Sequence, residues 1–163
     1  MADSTDERAR TDAGATEWRA ATPSVVAVVV AHKPGAWFEE TLDSFVTQDY
    51  PRLDLVVVDA RGDLEGEVAI DERVRAVAPA ASIIDAGDTD GFGAAANTIL
   101  ETDVASAFLL LCHDDVVLAP DAVSVMVTEA LRSNIGIAGP KIVHWEKPDL
   151  LQHVGLHVDQ FAG

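Results

Sequence analysis

Seven consecutive residues, Val25-Val-Ala-Val-Val-Val-Ala31, constrain the fold more than any other stretch of the chain. The run is β-branched almost throughout and carries no polar residue at alternate positions. Both faces of such a strand must be buried, as in the middle of a parallel sheet covered by helices on each side. Pro23 precedes the run and His32-Lys-Pro-Gly35 breaks it. It is the longest apolar run in the chain, and at seven residues it is far short of the ~18 that a membrane span requires.

Beyond Gly35 the chain alternates helix and strand patterns. Trp37–Gln48 places Phe38, Leu42, Phe45 and Val46 on one helical face, with Glu39 and Glu40 in the first turn, where the helix dipole favours anions. Tyr50-Pro51 stops that helix. Leu53–Val58 predicts a second buried strand ending at Asp59, and Glu67–Val77 a weaker helix after the loop Arg61-Gly-Asp63. Ser82–Ile84 is a short third strand, and the polar loop Asp85 to Gly91 leads to a small helix over Gly93–Glu101. Phe108–Cys112 predicts a fourth strand, Pro120 opens a helix running to about Arg132, and Ile135–Ala138 predicts a fifth strand stopped by Gly139-Pro140. This order implies an α/β fold, a three-layer α/β/α Rossmann-like arrangement around a mostly parallel sheet with right-handed crossovers. Residues 1–22 lack either periodicity and read as a disordered tail ahead of one domain over 23–163.

Composition narrows the function. A length of 163 residues with 48% hydrophobic content suits one domain with a real core. Eleven basic residues against 28 acidic ones leave no basic stripe, which argues against nucleic acid as a partner. A phosphate ligand meets an unfavourable field at a net charge of −17, and needs a divalent cation, helix N-termini or a few well-placed Arg and Lys. The single cysteine, Cys112, excludes a disulfide framework and reads as an inert core thiol. The N-terminus lacks the basic-then-apolar order of a signal peptide, so the expectation is a soluble, cytoplasmic chain.

In open parallel sheets, ligands sit beyond the carboxyl ends of the strands. His32, Asp59, the run Asp85 to Asp90, and His113-Asp-Asp115 all directly follow predicted strands. They therefore converge on one rim, although they lie far apart in sequence. Asp114 and Asp115 are either oxygen ligands for Mg²⁺ or Mn²⁺ or solvated turn residues. Asp59 either accepts from a ligand or caps its own turn. A receiver domain would need an acidic pair after its first strand, where Ala31-His-Lys33 stands. Gly91-Phe-Gly-Ala-Ala-Ala96 fits a loose G-x-G-x-x-A pattern, with Asp115 lying 22 residues past Gly93, and so invites an NAD-type dinucleotide reading. Against it, the glycines do not turn directly off a strand, and Asp85, Asp88 and Asp90 crowd the place of a pyrophosphate. His153 and His157 have i,i+4 spacing, but Gly155 between them argues against a helix and hence against a two-histidine metal site. No G-x-S-x-G elbow occurs.

Taken together, residues 24–163 resemble the donor-binding part of a family 2 glycosyltransferase with a GT-A fold. The first strand carries the resemblance, with Leu42-Asp-Ser-Phe-Val-Thr-Gln-Asp-Tyr-Pro51, Leu55-Val-Val-Val-Asp59, Asp90-Gly-Phe-Gly-Ala-Ala-Ala-Asn97, Leu111-Cys-His-Asp-Asp-Val-Val-Leu-Ala-Pro-Asp121 and Gly136-Ile-Ala-Gly-Pro-Lys141. These segments look like that family's helix end in Q-x-Y-P, its second strand with a nucleotide-contacting acid, its G-F-x-x-A-x-N loop, its metal-binding D-x-D, and the strand after it.

The resemblance implies an inverting, metal-dependent transfer of a sugar from a nucleotide-diphosphate donor to a glycan or lipid-linked acceptor. It implies donor contacts at Ala31, His32, Asp59, Arg61, Gly91, Asn97 and Asp114. It also implies Mg²⁺ or Mn²⁺ held by Asp115 and Asp114, with His113 at the place of the first Asp of D-x-D. That histidine is a departure: it leaves metal coordination to Asp115 alone, with Asp114 on the ribose or sugar, or it marks a non-catalytic module that keeps the fold and binds neither ligand. The remaining late acids, Asp149 and Asp159, sit in no base-like motif, so the acceptor site and general base are expected beyond Gly163, in a parent chain placed at the inner face of the cell membrane.

Overall fold

A computed structural model describes residues 22–62 and 69–155. The expected tail therefore lies outside the described residues apart from Thr22, as do Asp63, Glu67, His157 and Asp159. Four strands, β1 (Val25–Ala31), β2 (Leu53–Asp59), β3 (Ser82–Asp85) and β4 (Phe108–His113), form one parallel sheet in the order β3-β2-β1-β4. Four helices accompany them: α1 (Phe38–Val46), α2 (Ile70–Val77), α3 (Phe92–Asn97), continued by a 3₁₀ turn at Thr98–Glu101, and α4 (Ala122–Ser133).

The all-apolar run becomes the central strand β1, paired in register with β2 from Val25↔Leu53 to Ala31↔Asp59 and with β4 from Val25↔Phe108 to Val30↔His113. Alternation then divides its side chains between two cores. Val25, Ala27, Val29 and Ala31 pack with Phe38, Leu42 and Phe45 of α1, Ile70 and Val74 of α2, and Val123 and Val127 of α4. Val26, Val28 and Val30 pack on the opposite face with Val56, Val58, Ala95, Ala96 and Ile99. Helices thus cover both faces, as the three-layer expectation requires.

The expected fifth strand at Ile135–Ala138 does not form. Asn134 takes a left-handed conformation (φ 49°) at the end of α4, and the Ile135 N–H closes the helix on the Ala130 carbonyl. Gly136, Gly139 and Pro140 then interrupt an exposed segment in which Ile137 is 92% accessible. The strand starts after the proline instead: β5 (Lys141–His144) pairs antiparallel with β6 (Lys147–Val154) as a separate hairpin. Its turn residue Trp145 packs on Trp37, with ring centroids 4.6 Å apart. Helix α1 is shorter than the Trp37–Gln48 expectation, and β3 and β4 each extend one residue, to Asp85 and His113. Among the described residues no helix is long and apolar enough to cross a membrane.

Candidate functional site

A cleft of about 240 Å³ opens at the carboxyl ends of β1, β2 and β4. Val30, His32 and Lys33 come from the end of β1 and its loop, Ala60 from the end of β2, Gly91 and Phe92 from the start of α3, and His113 and Asp114 from the end of β4. A second hollow at the amino ends of the strands, beside Asp54 and Ser82, offers one carboxylate and no cation. Chemistry therefore favours the first.

Short polar ties fix the cleft walls. The His32 backbone N–H donates to Asp114 Oδ2 at 3.2 Å, joining the β1 and β4 loops. His32 Nδ1 lies 3.0 Å from the Ala60 carbonyl, which can only accept, so Nδ1 carries the proton and Nε2 keeps its lone pair when the ring is neutral. The ring of His113 stacks on Phe92, with centroids 4.1 Å apart and planes 23° from parallel. Gly62 has φ +66° and a Cβ there would sit 3.3 Å from Asp88 Cβ, so glycine lets the β2 and β3 loops close on each other.

The expected contact residues divide. His32, Gly91, His113 and Asp114 line the cleft. Ala31 does not: its side chain is wholly buried and its carbonyl accepts from the Ala60 N–H at 2.9 Å. Asp59 and Arg61 flank Ala60 but engage each other. Asp59 Oδ1 accepts from the Arg61 backbone N–H and Nε, and Oδ2 accepts from Nη2, at 3.2, 2.9 and 2.9 Å. Asn97 is exposed on α3 and Asp115 is exposed beside Asp114, neither in the lining. Gly91 opens α3 only after a loop spanning 86–90, so the G-x-G pair does not turn off β3 and the dinucleotide reading is not favoured.

Electrostatics single out Asp114. Burial raises its carboxyl above the ordinary aspartate value, Asp115 adds to the rise, and the His32 N–H opposes it. Cys112, buried just below, is pushed up to about 12 by burial and by the neighbouring Asp115 and Asp114, consistent with an inert thiol. Among the described residues, no three His, Cys, Asp or Glu side chains are grouped to hold a metal ion. A site here would rest on the two aspartates and on oxygens brought by a ligand.

The family model described as "Glycosyltransferase like family 2" matches residues 23–160. The chain belongs to this family. No match was found among curated proteins. Among solved structures, this glycosyltransferase-like chain is similar to TarS of S. aureus, residues 1–349, at TM-score 0.56 and 18% identity, over 68% of this chain and 33% of that one. It is also similar to the mannosyltransferase PcManGT from Pyrobaculum calidifontis, solved in complex with GDP-Man and Mn²⁺, at TM-score 0.56 and 24% identity. That match covers 71% of this chain and 39% of the mannosyltransferase. The fold is therefore of the GT-A type, and the chain spans a little over a third or less of these neighbours' lengths.

The family's helix-end motif has a mechanical meaning here. Gln48 Nε2 donates to the Ser44 and Ala119 carbonyls, and its Oε1 accepts from the Val123 N–H at the start of α4. The Ser44 hydroxyl accepts from the Leu118 N–H, and Thr41 Oγ1 donates to the Asp114 carbonyl. Three side chains of the α1 region thus hold the 114–123 segment, which begins with Asp114 and Asp115. Tyr50 completes the motif by donating to the Pro23 carbonyl at 2.6 Å, tying down the start of β1.

Arg73 was not legible as a site residue. It binds Glu39 through Nε and Nη2 at 2.6 and 2.9 Å, and donates to the Pro34 and Gly35 carbonyls, both at 2.8 Å. Its guanidinium also lies 4.9 Å from the Phe38 ring centroid. One side chain of α2 therefore holds the loop after β1. A lone Arg in a weak helix carries no local signal of a partner 34 positions away.

Proposed function

We propose that this chain is the donor-binding part of a metal-dependent, inverting glycosyltransferase that takes a sugar from a nucleoside-diphosphate donor. The observation that carries the reading is the cleft itself: it lies at the carboxyl ends of parallel strands, with the half-buried carboxylate of Asp114 in its wall and Asp115 beside it. The mannosyltransferase neighbour solved with GDP-Man and Mn²⁺ supports the ligand class.

The residues fit a hard dication. Magnesium and manganese take carboxylate oxygens and typically complete their shell with substrate phosphates, so two adjacent aspartates suffice as the protein's share. Asp115 and Asp114 would hold the ion; when bound, it would offset the donor's charge and stabilise the departing nucleoside diphosphate. Asp114 is oriented for this by the His32 N–H and by the Thr41 hydrogen bond to its carbonyl. The Phe92–His113 stack provides a flat wall against which a ribose or base can lie. Asp59 would read the nucleotide base together with Arg61; the guanidinium and backbone N–H already take three of its acceptor sites, so a base contact uses the remaining one or opens the fork. Inversion by direct displacement requires a base on the acceptor hydroxyl. The reading assigns none within the chain and places it, with the glycan or lipid-linked acceptor, in polypeptide outside these residues, working at the inner face of the cell membrane.

A thermal-shift panel of UDP, GDP, dTDP and NAD, with and without Mn²⁺, tests the reading on the wild type and Asp115→Asn. Ligand at 100 times its Kd adds about 2.7 kcal/mol to a two-state fold. Stabilisation by a nucleoside diphosphate that needs Mn²⁺ and is lost in Asp115→Asn is expected. Stabilisation by NAD alone, indifferent to metal, would overturn the reading.

A further inference from the structure

The cleft contains a lysine that no described residue neutralises. Lys33 lines the cleft and is exposed, and among the described residues it makes no ion pair or hydrogen bond. The chain has 28 acidic residues with which it could pair. Arg61, Arg73 and Arg132 are all joined to carboxylates, of Asp59, Glu39 and Glu129.

The backbone around Lys33 is nevertheless held on both sides. The preceding residue, His32, is tied through its N–H to Asp114 and through Nδ1 to the Ala60 carbonyl. The next two residues, Pro34 and Gly35, give their carbonyls to Arg73. A pinned backbone with an unengaged ammonium suits a ligand whose charge arrives from solution. Lysine acts there as a point charge and needs no fixed fork geometry, which fits a phosphate group. A strongly acidic chain also opposes the approach of a polyanion, so a cation within the cleft offsets repulsion where it matters most.

We propose that Lys33 is the anion-contacting residue of the cleft, its ammonium taking the diphosphate of the bound nucleotide. The inference rests on the donor-binding function proposed for the cleft and adds to it a charge contact from the loop after β1.

Calorimetric titration of the full chain tests it, using whichever of UDP, GDP and dTDP binds the wild type in the presence of Mn²⁺, together with the matching nucleoside. Lys33→Gln should weaken the diphosphate about ten-fold, as expected for loss of one charge-assisted contact. It should leave nucleoside binding and the melting temperature unchanged, and Lys33→Arg should restore most of the diphosphate affinity. Diphosphate binding by Lys33→Gln equal to that of the wild type would overturn the inference and leave the donor reading standing. An equal loss for nucleoside and diphosphate would also overturn it, by making the effect one of loop structure. Failure of the wild type to bind any of the three diphosphates would overturn the donor reading itself and the inference with it.

Discussion

The two faces of the parallel sheet are built differently. On one face α1, α2 and α4 pack Phe38, Leu42, Ile70, Val74 and Val123 against β1 until each is almost wholly buried. On the other, cover comes from Ala95, Ala96 and Ile99 of the short α3 and its 3₁₀ extension. Among the described residues that cover stops at β1. Val26 and Val28 are 3% and 0% accessible, while their partners on β4, Leu109 and Leu111, are 43% and 50% accessible. Polar ties follow the same division: Thr41, Ser44, Gln48 and the Glu39–Arg73 pair all belong to the first face. Val30, Phe92 and His113, which line the cleft, belong to the second. The heavily packed face serves as a platform, and the sparsely covered face presents the groups that line the cleft.

Removing the platform should cost most. Phe38 is fully buried between β1 and the Arg73 guanidinium, so Phe38→Ala is expected to destabilise the fold by about 3–5 kcal/mol through lost transfer energy and the cavity left behind. Urea unfolding followed by circular dichroism measures this. A loss below ~1 kcal/mol would mean that the first face does not dominate stability.

Gln48→Ala comes next and separates holding the site from forming it. The substitution removes three side-chain hydrogen bonds, two of which join the end of α1 to the 119–123 segment through the Ala119 carbonyl and the Val123 N–H. A cost of about 1–3 kcal/mol is expected from orphaned backbone groups. Because the same segment lies just after Asp114 and Asp115, Mn²⁺-dependent nucleotide binding should weaken although Gln48 lies outside the cleft lining. Unchanged binding in a destabilised variant would show that the segment's position tolerates the loss.

The difference between the faces also explains what could be read from sequence. β1 was legible because a uniformly β-branched run permits one environment, and the convergence of His32, His113 and Asp114 came from strand order alone. The false strand at Ile135–Ala138 arose because two isoleucines mimic a strand, whereas the left-handed turn at Asn134 and the helix-closing N–H of Ile135 are visible only in three dimensions. Ala31 and Asn97 are expected contacts by motif position only. Motif position fixes the element that carries a residue, and the facing of its side chain depends on packing. Gln48 stood in a family motif without a mechanism, and the hydrogen bonds to Ala119 and Val123 supply one.

A smaller effect tests the sparse face. Leu111→Ala removes a side chain that is already half exposed, so its cost should stay below ~1 kcal/mol, against the several expected at Phe38. Chemical denaturation of both variants under one condition makes the comparison direct. A cost at Leu111 equal to that at Phe38 would mean the second face is better covered in solution than the exposed leucines indicate.

The smallest predicted effect concerns charge on the first face and has a definite sign. The Glu39 carboxyl is held below the ordinary glutamate value chiefly by its hydrogen bonds to Arg73. A carboxyl whose value is lowered by folding stabilises the fold above its unfolded value of 4.5, and loses that contribution as pH falls through the folded value. Glu39 is substantially exposed, with 43% of its side chain accessible, so solvent screening keeps the contribution to a few tenths of a kcal/mol at neutral pH. Glu39→Gln should therefore melt slightly below the wild type at pH 7, and the gap should close as both proteins are taken below the glutamate range. The Arg73 bonds to Pro34 and Gly35 survive the substitution, so the loop carrying Lys33 should keep its place and nucleotide affinity should hold. A gap in melting temperature that persists unchanged at low pH would assign Glu39 a packing role instead of an electrostatic one.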